Sequence, residues 1–198
     1  MTTARSGVAL EGELTRLREI REEDLPVFVE LRNDLETQAW SRTLPPDYTL
    51  EMIRRRYWDR DFSYHRNDAI FIVEVKESCE VAGMMSYSGV VDRFEADWGL
   101  AIRKEFWGTG VSRDASDTML RFLFHELGLR VVRLWTQSGN ERAVATFEKL
   151  GFKVATRTPG AIFKGGRWVD NICMDLLREE WYALHPDLED GLGDPIAR

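Results

Sequence analysis

The chain has 198 residues, 43% of them hydrophobic and 31% charged, with seven Trp and ten Phe; this excludes low-complexity disorder and allows one substantial core rather than two domains. Its 27 basic and 34 acidic side chains give a formal net charge of −7, which argues against nucleic acid as a partner and is compatible with a cationic small substrate or with simple solubility. No apolar run reaches the roughly 18 to 20 residues of a membrane span, and the N-terminal MTTARSGVALEGE lacks the apolar core of a signal peptide, so the expected location is the cytoplasm.

In chain order, LTRLREI (14–20) alternates like a short strand. EEDLPVFVELRNDLETQAW follows as a helix, with Phe28, Leu31 and Leu35 on one face and Pro26 in the first turn. After the PPDY turn, TLEMIRRRYWDRDF reads as a second, more basic helix. AIFIVEV (69–75), EVAGMMSYSGVV (80–91) and FEADWGLAIR (94–103) are three strands of high β-propensity. A helix over about 111–127 carries Ala115, Met119, Phe122, Leu123 and Leu127 in a stripe and stops at Gly128. VVRLWT (131–136) is a strand, and SGNERAVATFEKLGF a helix capped by Ser138 or Asn140 and stopped by Gly151. Residues 152–158 and 167–177 close the chain as two strands around the turn KGGR. The order β-α-α-β-β-β-α-β-α-β-β predicts a single mixed α/β domain over 13–182, helices wrapped around one sheet, with residues 1–12 and the acidic tail 183–198 loose.

Two cysteines, Cys79 and Cys173, are too few for a disulfide framework, and the scattered His65, His125 and His185 suggest no metal cluster. The chemistry lies instead in a glycine turn. Gly108 and Gly110 separate a strand from a helix whose first N–H groups lack intrahelical acceptors and whose dipole favours negative charge. Such a turn is either an anion cradle or a corner. The two familiar phosphate fingerprints are absent: Arg113 stands where a dinucleotide turn has its third glycine, and Arg113-Asp114-Ala115 where a P-loop has Gly-Lys-Ser/Thr. A second strand-turn-helix, WTQSGNERAVATFEKLGF, repeats the architecture, and two such neighbouring units leave a cleft at their strand ends.

The element order, the WGTGVS turn and the NERAVATFEKLGF helix together resemble the GCN5-related N-acetyltransferases, in particular the ribosomal-protein N-terminal and spermidine acetyltransferase branch. The resemblance implies a mostly antiparallel sheet splayed in the middle and flanked by about four helices. It also implies an acetyl-CoA donor, and a primary-amine acceptor that is a small molecule or a protein N-terminus. Homodimers are common among such relatives. By similarity, the backbone of Leu100, Ala101 and Ile102 pairs with the pantetheine arm like a missing strand. Trp107, Gly108, Thr109, Gly110, Val111 and Ser112 form the pyrophosphate turn, with Arg113, and Lys104 before it, in reach of outer phosphates. Trp107 replaces the family's usual Gln or Arg. Asn140 contacts the pantetheine arm or caps its helix. Phe147 stands where many relatives carry a Tyr that protonates the departing thiolate, and it has no proton to give. Asp97, in the run Ala96-Asp97-Trp98-Gly99, is the favoured base, with Glu95 and Asp92 as alternatives. Trp40, Tyr48, Tyr57, Trp58, Phe62 and Tyr64 would surround the acceptor, as a cation cage or as packing. The rival function is a CoA-binding sensor without transfer, which Phe147 keeps open. A fold relative lacking both activities is a third reading, resting on Trp107.

Overall fold

The computed structural model describes residues 9–34, 47–59 and 67–188. One eight-stranded sheet runs through it, in the order β1-β2-β3-β4-β5-β6-β8-β7. The strands are β1 (Leu10–Glu11), β2 (Thr15–Arg18), β3 (Ala69–Val75), β4 (Val81–Val91), β5 (Glu95–Ile102), β6 (Val131–Gln137), β7 (Lys153–Lys164) and β8 (Arg167–Leu177). The helices are α1 (Leu25–Asn33), α2 (Leu50–Ile53), α3 (Val111–Arg121), α4 (Glu141–Lys149) and α5 (Arg178–Leu184). Wider π turns continue α2 over Arg54–Trp58 and α3 over Phe122–Glu126. The sheet is antiparallel throughout except at β5 and β6.

Alternation along the strands sorts the side chains onto two faces. Met85, Trp98, Leu134 and Met174 point into the main core, where Met119, Leu120 and Leu123 of α3 and Trp181 of α5 meet them. Ile72 and Met84 point the other way, against Leu25, Phe28 and Leu31 of α1 and Ile53 and Tyr57 of the α2 segment. Gly128 and Gly151 end their segments as read, at φ of 67° and 97°, and Thr49, not singled out in the sequence, caps α2 with its Oγ1 accepting from Met52 N–H at 3.2 Å.

Three elements differ from expectation. Leu10–Glu11, inside the stretch expected to be loose, pairs with β2; two residues are too short to show a period. β7 runs to Lys164 rather than stopping at 158, because register shifts between Thr158 and Ile162 absorb Pro159 and Gly160 within the hairpin. Arg178–Leu184 is a helix that the sequence reading omitted. Leu177 precedes it, without a side-chain oxygen to cap it, and Glu180 reaches back to the Leu177 N–H instead. Leu188, in the stretch expected to be loose, packs on the main core. Leu35 and the first helix's extension to Trp40, and the second helix beyond Asp59, lie outside the described residues.

A buried ion cluster joins β2, β3 and the turn that leads into α1. Arg18 in β2 bonds Asp24 at 2.7 and 2.9 Å and Glu74 at 2.5 Å, and all three residues are at most 7% exposed. Removing the cation leaves Asp24 buried without a counter-charge and Glu74 with only Arg16, 3.5 Å away. Arg18→Met is therefore expected to cost about 3–5 kcal/mol of stability, read as a lower urea midpoint at unchanged slope.

Candidate active site

β5 and β6 pair over only three residues: Glu95 with Val131, Ala96 with Val132 and Asp97 with Arg133. Beyond Asp97, β5 stays with β4 up to Ile102, while β6 stays with β8 up to Gln137. The strands part, and a cleft of about 650 Å³ opens between them. Its walls are Trp98 to Ile102 of β5, Leu134 to Thr136 of β6, Trp107, Gly108, Gly110, Ser112 and Arg113 around the start of α3, and Asn140, Arg142, Ala143, Thr146, Phe147 and Lys149 of α4.

Which backbone groups face the cleft follows from hydrogen bonds on either side. Arg103 N–H donates to Ala82 O in β4, and Val131 N–H of β6 donates to Phe94 O. By alternation, odd-numbered residues of this stretch point their N–H and C=O at β4 and even-numbered ones at the missing partner. Trp98, Leu100 and Ile102 thus carry the edge row, with the Ile102 carbonyl occupied by Trp107 Nε1 at 2.8 Å. Ala101, expected on that row, directs its backbone into the β4 ladder and its methyl toward α1. Trp98 joins the row in its place.

The turn has the geometry of a cradle. Gly108 and Gly110 adopt φ of 78° and 91°, and a Cβ on Gly108 would meet nothing within 4 Å, so the backbone there stands open. Gly110 is the N-cap of α3, and no side chain caps the helix. Thr109 Oγ1 turns back to Phe106 O at 2.8 Å, and Val111 packs into the core, so these two contribute backbone alone. Asp114, in the first turn, would repel an anion, but its carboxylate accepts from the N–H groups of Glu13, Leu14 and Thr15 and from Thr15 Oγ1. Burial pushes the Asp117 carboxyl up, and the Arg113 guanidinium 3.7 Å away opposes the shift.

Trp107 holds a cation that the sequence reading missed. The Arg142 guanidinium, from the first turn of α4, lies 3.4 Å above the centre of the indole and bridges the two walls. Arg113 is exposed beside the turn. Lys104 is committed elsewhere, to Asp34 at 2.9 Å. Asn140 caps α4, its Oδ1 accepting from Ala143 N–H at 3.4 Å and its Nδ2 donating to Thr136 Oγ1 at 3.3 Å, and it also lines the cleft. Ser138, the other cap candidate, binds Asp170 N–H instead.

Phe147 lines the cleft edge-on to Trp98, ring centres 5.5 Å apart. Asp97 sits at the last paired rung, exposed, and outside the cleft wall proper. It shares the α1 face with Gly99, about 6.6 Å along the strand. Glu95 is held by Arg133 at 3.1 Å. Of the six aromatic residues expected around the acceptor, Tyr57 is buried against Phe28, and Tyr48 and Trp58 pack on the same cluster. Trp40, Phe62 and Tyr64 lie outside the described residues. No cluster of metal-ligating side chains forms among the described residues.

A splayed mixed sheet with a helix N-terminus at the mouth of the gap defines a CoA-dependent acyltransferase fold, and comparison with known proteins agrees. Residues 15–153 match the acetyltransferase (GNAT) domain model. The chain is 27% identical to the SPbeta prophage-derived uncharacterized N-acetyltransferase YokL of Bacillus subtilis, over 88% of this chain and 96% of that one. Its fold matches spermidine N-acetyltransferase from Vibrio cholerae, solved with CoA and spermine, at a TM-score of 0.76, 21% identity and coverage of 85% and 98%. It also matches ribosomal-protein-S5-alanine acetyltransferase from Vibrio fischeri, at 0.74, 21%, and 88% and 98%. The chain belongs to the GNAT acetyltransferase family and is an N-acetyltransferase.

A side chain at position 110 must adopt a left-handed conformation, at about 1–2 kcal/mol. A Cβ there also comes within 3.4 Å of Leu14 Cδ1, so an arginine crowds the start of α3. Gly110→Arg is expected to weaken CoA binding by about tenfold or more, measured by titration calorimetry; wild-type affinity in this variant would remove the turn from the donor site.

Proposed function

We propose that the chain transfers the acetyl group of acetyl-CoA to the primary amine of a small molecule or a protein N-terminus, with the donor lying in the cleft between β5 and β6. The observation that carries this reading is the unpaired edge of β5 leading to the uncapped start of α3. An extended arm with amide groups can complete the edge row at Trp98, Leu100 and Ile102, as an added strand would. The N–H groups at the start of α3 suit its pyrophosphate, and Arg142 and Arg113 supply charge. Here Trp107 serves the turn indirectly, by holding Arg142 rather than by touching phosphate.

The donor supplies an activated thioester. The residues around it orient the carbonyl, and a backbone N–H of the edge row stabilises its developing oxyanion. In the balanced step an N–C bond forms, the C–S bond breaks, and a proton passes from the amine to a base while the thiolate leaves. Asp97 is that base, acting through a water from its place on the α1 face. Phe147 packs the cleft and gives no proton. A thiol of pKa about 8.5 leaves well enough for solvent to protonate it afterwards.

Asp97→Asn is expected to lower kcat by about a hundredfold or more while CoA affinity stays at the wild-type value. An unchanged kcat with a fully saturating amine would take Asp97 out of the mechanism. Phe147→Tyr is expected to raise kcat less than about tenfold, since a rate-limiting protonation would release about a hundredfold. Stopped assays of CoA thiol release at pH 7 and 8 decide between them.

A further inference from the structure

The charged side chains that line the cleft are Arg32, Arg113, Arg142 and Lys149, and no Asp or Glu among the described residues joins them. Arg113 and Arg142 stand at the starts of α3 and α4, where the donor's phosphates fit. Arg32 does not. It comes from the last turn of α1, on the opposite face of the sheet, and reaches the cleft beside Met84, Ser86, Gly99 and Ala101. That is the face of β5 that also carries Asp97, the base proposed above.

Arg32 is held in place rather than swinging in solvent. Its Nη2 donates to Tyr57 Oη at 2.7 Å, and its guanidinium lies 5.8 Å from the centre of the Tyr57 ring. Tyr57 is itself buried against Phe28. The next residue, Asn33, pins the helix end by bonding both Tyr48 N–H and Tyr48 O. Arg32 nonetheless lines the cleft, and no carboxylate among the described residues pairs with it; its Nε–H is buried without an acceptor, which leaves the Nη groups to face a ligand. A half-buried cation without a counter-charge is costly unless an anion pairs with it.

Resting on the acetyltransferase reading above, we propose that the acceptor is a small amine that carries a carboxylate, of the amino-acid class, and that Arg32 binds this carboxylate. A planar guanidinium presents parallel N–H groups that match one carboxylate. A single fork suits one monoanion better than a doubly charged phosphate. A polyamine would meet Arg32 with like charge and find no carboxylate among the described residues of the wall.

The test uses the full chain with acetyl-CoA and matched acceptors: free α- and ω-amino acids, the corresponding amides, and spermidine. The wild type is expected to favour the acids over their amides by about 30-fold in kcat/KM. Arg32→Gln is expected to raise KM for the acids by about 30-fold with little change in KM for the amides. Arg32→Lys restores part of the loss. Calorimetric titration of the best amino acid into the protein with CoA bound gives a second readout, and binding is lost in Arg32→Gln. Preference for spermidine, or an equal loss on acids and amides in Arg32→Gln, overturns the proposal. Wild-type CoA affinity in Arg32→Gln shows that the donor site survives the change. A wild-type protein that binds no CoA overturns the acetyltransfer reading itself, and this proposal with it.

Discussion

Everything at the site depends on three rungs of parallel pairing and their abrupt end. A parallel pair is the least stable kind of ladder in this sheet, and β5 and β6 give it up after Asp97 and Arg133. The gap is not slack, because each strand is anchored on its far side. β5 keeps β4 as a partner from Ser88 to Gly83, and β6 keeps β8 along its whole length. The main core then grips both walls, through Trp98 and Ile102 on one and Leu134 on the other. An edge that would be an aggregation hazard on the outside of a sheet is thereby kept inside the molecule, where only a narrow extended chain can reach it.

The electrostatics of the cleft run against those of the chain. A protein with a net charge of −7 confronts its ligand with cations. Three nearby acids are occupied, Asp34 with Lys104, Glu95 with Arg133 and Asp114 with the backbone of residues 13–15, while Asp97 stays exposed at the last paired rung. Arg133 is in turn gripped by Asp175 at 2.8 and 2.9 Å, whose bonds outweigh burial and hold its pKa above the usual arginine value. The acidic side chains stay off the described cleft wall, which presents positive groups and open N–H donors, the combination the proposed donor requires.

The elements that sequence could reveal were those with a local signature. The helix of α3 shows its 3.6-residue stripe and its glycine borders, and β8 shows strand propensity between a turn and a charge run. Gly108, Gly110 and Asn140 were legible as a turn and a cap, which are short-range patterns, while Trp107, Ser112, Arg113 and Phe147 were placed by the family resemblance; all line the cleft. What escaped was tertiary. Neither Arg142 nor Arg32 carries any local mark; one is defined by an indole on the opposite wall and the other by a tyrosine on a separate helix. Ala101 was set on the wrong row because the phase of a strand's hydrogen bonds depends on its neighbours and not on its own residues. Helix α5 escaped because it is seven residues long and begins after a leucine.

The tie between Asp114 and the segment Glu13–Thr15 has a consequence for how the chain is handled. Three backbone N–H groups and one hydroxyl hold the negative charge of a side chain in the first turn of α3, beside the cleft. The loop leading into β2 thus screens that end of the cleft, although it does not line it. Trimming the chain to start at Arg16 would leave the sheet's central strands in place but bare that carboxylate at the uncapped start of α3. The electrostatics of the cleft therefore extend to a loop about a hundred residues earlier in the chain.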